Sequence, residues 1–345
     1  MLRSKRVMIK DLGQAELQDY ELDETSWGLQ EVWIRTRYSL ISAGTEVSAF
    51  SNATANHRYP VYPGYTSVGE VIHEGSDFPD AHMGDLVFTY GGHARYSRAQ
   101  SLCLKVPDNL PVSYVPFARL STVAMTALRV SNVELGDWAA VIGQGVVGNF
   151  CAQLLQLAGV ETVGIDHNAH RLDLAQACGI RHTIHASGGD NAVLEQIMTL
   201  TDERGVEATI EAGGNPRTIY LAAWMTGRLG EVILLGSPRG RYDADVTQVL
   251  NLIHRWGSSG LTVKGAYEWR YPVRAGGDGR KGDSSPKHSL ERNTRIVFRL
   301  MAEDRLQFGP LLSHLLLPEQ AQTAYVGLRD QKDEYVGVVF DWTRG

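Results

Sequence analysis

Apolar and polar positions alternate in short runs through the first 120 or so residues. Glu31–Tyr38, Ser67–His73 and Asp85–Tyr90 are examples, separated by glycine and proline. Such runs predict strands with one face on a core and the other toward water. From about residue 125 the pattern changes. The apolar runs Trp138–Ile142, Thr162–Asp166, Ala208–Glu211 and Glu231–Leu235 are nearly continuous, and between them lie helical stretches near Gly145–Ala158, Arg171–Ala177 and Arg217–Trp224. Continuous apolar strands alternating with helices predict a parallel sheet covered on both faces. An amphipathic helix near Asn293–Glu303 and strands around Tyr335–Trp342 follow. The pattern therefore predicts two domains: one β-rich, formed by 1–124 and 267–345, and an α/β domain inserted between them at 125–266.

The sharpest motif is AAVIGQGVVGNF, a G-x-G-x-x-G at Gly143, Gly145 and Gly148. It follows an apolar strand and opens an amphipathic helix, the context that a Rossmann dinucleotide site requires. Gly143 permits the tight turn, Gly145 lets a pyrophosphate approach the main chain, and Gly148 lets helix and strand pack closely. The free N–H groups of the helix start, at Val146 and Val147, and its dipole favour phosphate. Asp166 ends the next strand, where a carboxylate accepts from ribose hydroxyls and repels a 2′-phosphate, favouring NAD over NADP. His167 and Arg171 stand close to that position as cations that would accommodate a phosphate. Two further strand ends, Ala212 and Gly213 in EAGG and Leu235–Gly236–Ser237, are candidates for the nicotinamide side of the site.

Composition narrows the classes. The chain has 345 residues, 43% hydrophobic and 21% charged, with a net charge of −6. No basic stripe points to nucleic acid. No apolar run approaches the ~18 residues of a membrane span. Met1–Lys10 is basic without an apolar stretch after it and reads as an edge strand, so a cytoplasmic protein is the expectation. The three cysteines cannot form a complete disulfide framework; Cys151 and Cys178 fall in helical stretches and read as core residues.

The whole layout resembles the medium-chain dehydrogenase/reductase family, the alcohol and polyol dehydrogenase group. The resemblance rests on ISAGTE (41–46), PGYTSVGEV (63–71), GDLVF (84–88), GGHARY (91–96), LSTVAMTAL (120–128), the glycine motif, LLGSP (234–238) and LTVKGA (261–266). It implies a doubly wound Rossmann domain inserted into a GroES-like β-rich catalytic domain, with the active site in the cleft between them. It also implies a small-molecule substrate, a homodimer or homotetramer, and Thr126 behind the nicotinamide ring. Its zinc branch has Cys, His and Cys or Glu ligands where this chain has Ala43, Tyr65 and Thr122. Zinc needs about three such ligands, and the four-cysteine structural lobe is missing too, so no metal is expected.

A replacement for zinc must handle the substrate proton. Three residues are candidates by position. Thr45 matches the family's proton-relaying hydroxyl, Tyr65 stands at a ligand histidine's place, and His93 in GGHARY is a candidate general base near neutral pH. Glu46 matches an acid behind the ligands. The segment 270–288, with five Lys/Arg and two Asp, is a candidate contact for an anionic substrate. The expected function is zinc-independent, NAD-dependent interconversion of a secondary alcohol (a polyol, cyclitol or sugar derivative) and its ketone. The alternatives are a quinone or enoyl reductase using NAD(P)H and a non-catalytic NAD(H)-binding redox sensor.

Overall fold

The computed structural model describes residues 1–53, 57–254, 259–275 and 287–344. The chain divides into two compact units: Met1–Arg119 with Trp269–Asp304 and Leu311–Gly345, and Leu120–Glu268 with Arg305–Pro310. The short segment Arg305–Pro310 thus packs with the second unit although the chain on either side belongs to the first. Within the second unit Phe308 stacks at 4.9 Å on Phe150 and the Gln307 N–H donates to Gln153 Oε1 at 2.7 Å, which is what holds it there.

The first unit is built on a seven-stranded sheet. Its path runs Leu312–Leu316, Gly337–Asp341, Trp33–Leu40, Ser67–His73, Leu86–Thr89, Cys103–Lys105, with Tyr96–Arg98 also paired to Trp33–Leu40. Apart from the parallel pair Leu312–Leu316 and Gly337–Asp341, the pairings are antiparallel. Leu2–Asp11 does not stand alone at an edge; it forms a hairpin with Gln14–Leu22. The hairpin's inward residues Val7, Ile9 and Ala15 join Ile41, Phe50, Tyr325, Val338 and Phe340 in one apolar cluster. That cluster seats two helices which matter below, Ala43–Phe50 and Ala321–Asp330.

The second unit is a six-stranded parallel sheet in the order His182–His185, Glu161–Asp166, Trp138–Ile142, Val206–Glu211, Thr226–Leu234, Thr262–Gly265. Numbered within the unit this is 3-2-1-4-5-6, the doubly wound order, whose direction reverses between the first and fourth strands. The continuous apolar runs are explained by burial on both faces: Ala140, Val163, Ile165 and Val232 are each at most 1% exposed. The α/β fold with a second, β-rich domain is therefore as expected. The sequence pattern did not reveal the strands Gln14–Leu22 and His182–His185 or the helices Ala43–Phe50 and Ala321–Asp330. Most of the candidate segment 270–288, residues 276–286, lies outside the described residues.

Candidate active site

The glycine motif sits at the reversal point of the parallel sheet. Strand Trp138–Ile142 ends in Gly143, which has φ +91 and so occupies a conformation that side chains disfavour. A Cβ at Gly143 would lie 2.9 Å from Gly213 N, and one at Gly148 would overlap the Gly143 carbonyl oxygen. Both glycines are demanded by the protein's own packing. Gly145 is different: a Cβ there would meet nothing within 4 Å. Its φ of −67 is also open to any residue. Packing therefore does not require a glycine at this helix start.

Asp166 closes the other side of the turn. Its Oδ2 accepts from Gln144 N at 2.7 Å and its Oδ1 from Asn168 N at 2.9 Å. His167 Nδ1 lies 3.4 Å and Arg171 3.9 Å away. Each carboxylate oxygen keeps a second lone pair for a sugar hydroxyl. The Asn168 side chain accepts from Arg171 N and starts the helix Ala169–Ala177. Val146 and Val147 open the helix Val146–Leu157 as expected. The ends of the next two strands are tied together: Leu235 N and Gly236 N both donate to the Glu211 carbonyl, at 2.9 and 2.7 Å. The buried Glu211 side chain receives Gly213 N at 3.0 Å and Gly214 N at 2.9 Å. Burial is the main influence on that acid and raises its proton affinity, against the opposing hydrogen bonds. Gly143, Gly145, Gly148, Asp166, Ala212, Gly213, Leu235, Gly236 and Ser237 thus share the carboxyl ends of adjacent parallel strands. Thr126 does not offer its hydroxyl freely: it is fully buried and donates to the Thr122 carbonyl of its own helix at 3.2 Å.

In the first unit the segment 41–46 is not the tight turn that its glycine suggests. Ser42 is the N-cap of the helix Ala43–Phe50, and Gly44 and Thr45 lie in its first turn. Tyr65 donates its phenol to Ser42 Oγ, and Thr45 lies in the same first helical turn as the residue after Gly44. The Arg119 guanidinium lies 5.3 Å from the Tyr65 ring centre and 4.4 Å from that of Tyr90. Burial is the largest influence on the phenol and raises its pKa above the usual tyrosine value; the Ser42 bond, the Thr45 hydroxyl and the Arg119 charge oppose the rise, and Glu46 adds to it. Tyr65 is therefore a protonated donor near neutral pH. The structure brings Thr45 and Tyr65 together, and adds Ser42, which the sequence did not single out.

His93 lies elsewhere in the same unit. Its side chain has no exposed surface. Nε2 is 2.9 Å from Glu46 Oε2 and Nδ1 is 2.8 Å from Ser39 Oγ. Glu46 Oε2 also accepts from Tyr325 OH at 2.7 Å, and Glu46 Oε1 from Ser42 N at 2.8 Å. Trp342 Nε1 donates to Ser39 Oγ at 2.9 Å. With both ring nitrogens engaged and no surface, His93 does not present itself as a base to a substrate, which corrects that expectation. The signal for its true setting was out of reach in the sequence, since Ser39, Glu46, Tyr325 and Trp342 are far apart along the chain.

The zinc positions do not fit a metal. Ala43 has no donor, the Tyr65 phenol is bound as above, and Thr66 Oγ1 donates to the Pro116 carbonyl at 2.7 Å. Thr122 Oγ1 donates to Glu268 at 2.8 Å. Among the described residues no three His, Cys, Asp or Glu side chains are grouped as metal ligands. The cysteines are free and buried, and burial pushes their thiols up, to about 12 for Cys103 and Cys151 and about 11 for Cys178.

Comparison with known proteins bears on the fold and the family. Residues 146–270 match the zinc-binding dehydrogenase family model. The solved galactitol-1-phosphate dehydrogenase of Escherichia coli superposes with a TM-score of 0.81, covering 98% of this chain and 99% of that one at 20% identity. Residues 146–270 thus carry the family's match, and the whole chain has the fold of these dehydrogenases. D-Guloside 3-dehydrogenase of Escherichia coli is 29% identical over 217 residues, 53% of this chain and 60% of the relative's length. A putative zinc-binding dehydrogenase of Sinorhizobium meliloti, solved with NADP, has a TM-score of 0.78 at 18% identity, covering 99% of this chain and 100% of that one. The family model's name carries no information on metal in this chain, because 146–270 contains none of Ala43, Tyr65 and Thr122. Likewise, no helix among the described residues is long and apolar enough to cross a membrane.

Proposed function

We propose that this chain interconverts a secondary alcohol and its ketone with NAD(H), without zinc. The observation that carries the reading is the glycine turn at the reversal point of the parallel sheet, where Gly145 is not demanded by packing and Asp166 closes the turn; in the other unit, Tyr65 is a partly buried phenol beside Ser42. The bound nucleotide supplies hydride transfer; the Gly143–Gly148 turn would hold its phosphates through main-chain N–H groups and Asp166 its adenosine ribose. Asp166 favours NAD because a second negative charge on the ribose would face a carboxylate.

The Tyr65 phenol takes the task that zinc performs elsewhere. With the Ser42 hydroxyl turned to donate to it, the phenol gives its one proton to the carbonyl oxygen as the alcohol forms, and the tyrosinate left behind takes a proton from solvent through Ser42. A phenol is protonated near neutral pH, the form that carbonyl reduction uses. Sugars and polyols are the favoured substrate class, in line with the D-guloside and galactitol phosphate enzymes among the relatives.

The test has two arms. Titration of NADH and NADPH into the purified chain, followed by fluorescence, reads the nucleotide site; absence of saturable binding by either overturns the proposal. Reduction of a panel of keto-sugars with NADH reads the chemistry; binding without turnover of any panel member replaces it with the sensor reading. Metal analysis of the same preparation is expected to find zinc far below stoichiometric, since the donor set lacks ligands.

A further inference from the structure

The buried acid behind the hydroxyl cluster has no task in the reading above. Glu46 is 3% exposed and its carboxylate is held by three donors: His93 Nε2, Tyr325 OH and Ser42 N. The indole of Trp342 can only donate, so Ser39 Oγ accepts from it; the same hydroxyl pairs with His93 Nδ1, and His93 Nε2 pairs with Glu46 Oε2. In this arrangement each donor of the chain Trp342, Ser39, His93, Tyr325 reaches an acceptor, and the single buried charge is compensated by hydrogen bonds, as burial requires.

The consequence reaches Tyr65. An N-cap serine ordinarily turns its hydroxyl onto a free N–H of the first helical turn. Ser42 makes no such bond. Its main chain is pinned instead by the Glu46 carboxylate, and its hydroxyl receives the Tyr65 phenol. We infer that Glu46 is a positioning residue for Tyr65: anchored by His93 and Tyr325, it holds the Ser42 main chain so that the Ser42 hydroxyl meets the phenol. This rests on the assignment of Tyr65 as the proton-handling group. The Glu46 charge also helps to keep the phenol protonated, against the Arg119 guanidinium. The titratable and charged groups that bear on the phenol among the described residues are thus Glu46 and Arg119, with His93 and Tyr325 acting through Glu46.

Removing the charge and removing its anchor have opposite effects. Tyr65 ionisation is read as the difference in tyrosinate absorbance between each protein and its Tyr65→Phe counterpart across alkaline pH. In Glu46→Gln the charge is gone while the amide oxygen still accepts from Ser42 N, and the Tyr65 titration moves to lower pH than in the wild type. In Tyr325→Phe the charge stays but the carboxylate is loosened; the Ser42 bond weakens, and the titration moves to higher pH. The near-ultraviolet circular dichroism of both variants, read at neutral pH, matches the wild type and shows that the mutated unit is folded. The same midpoint as wild type in folded variants, or no titration before unfolding in any of the proteins, overturns the inference. Should Glu46→Gln fail to fold, Tyr325→Phe decides alone. Full turnover by Tyr65→Phe would sink the assignment of Tyr65, and is seen separately from the absorbance result.

Discussion

The two units build their chemistry from different materials. The parallel sheet offers its nucleotide main chain: glycines, strand ends, a helix start, and one acid at Asp166. Its parts come from consecutive strand-to-helix turns, each close to its neighbours in sequence. The β-rich unit offers side chains: Ser42, Thr45 and Tyr65 in front, Glu46, His93 and Tyr325 behind. These come from separate segments and meet only because the hairpin, two helices and the sheet share one apolar cluster. A main-chain site is written in local pattern, whereas a side-chain site is written in packing.

The largest expected effect tests the side-chain half. Tyr65→Phe removes the proton donor while keeping the ring, and turnover should fall by about 10²- to 10⁴-fold, the usual contribution of a general acid. NADH affinity should not change, because the nucleotide site uses none of these atoms. Steady-state kinetics beside a fluorescence titration measures both; equal losses in each would break the division between the units.

Next come the glycines, which separate packing from ligand. Gly148→Val drives a side chain into the Gly143 carbonyl and should destabilise the chain by ~3 kcal/mol, seen as an earlier denaturant midpoint. Gly145→Val meets no protein atom, so stability should stay within about 0.5 kcal/mol while NADH binding weakens about tenfold or more. If Gly145→Val binds NADH normally, the open space at Gly145 is not the phosphate site.

A similar loss in binding is expected from Asp166→Ala. One charge-assisted hydrogen bond to a ribose hydroxyl is worth about tenfold in affinity; NADPH should lose less, narrowing the preference. An unchanged ratio of the two affinities would remove Asp166 from discrimination. The smallest effect is a null one. Cys103, Cys151 and Cys178 are buried with raised thiol pKa values, so iodoacetamide at pH 8 should not modify the native chain. The sign for stability follows. The folded state holds these protons more tightly, so their contribution is complete below the ordinary thiol value of 9 and fades as pH rises toward 11 to 12. Rapid labelling at pH 8, followed by mass spectrometry, would show that the burial is wrong.

How much of this was legible beforehand depended on range. The strands Ser67–His73 and Trp138–Ile142, and the helix following Gly145, could be read because periodicity and glycine spacing are local properties. The loss of zinc ligands at Ala43, Tyr65 and Thr122 was visible as chemistry at three positions. What the positions left behind could do was not. The helix Ala43–Phe50 was hidden by the glycine in its first turn, and with it the reason that Thr45 and Ser42 face Tyr65. His93 looked like a base because a histidine in a polar turn usually meets water; its true neighbours Glu46 and Tyr325 lie 47 and 232 positions away, by subtraction of their numbers.

By itself, then, the amino-acid order determined the sheet that reverses at Gly143, the glycine turn that opens the following helix, and which residue types stand at 43, 65 and 122. Only the folded chain decided that a phenol stands among hydroxyls over a buried carboxylate. The reason is physical: strand and helix signals arise from neighbours a few residues apart, while the proton affinity of Tyr65 is set by burial and by groups that nothing but tertiary packing brings within hydrogen-bond reach.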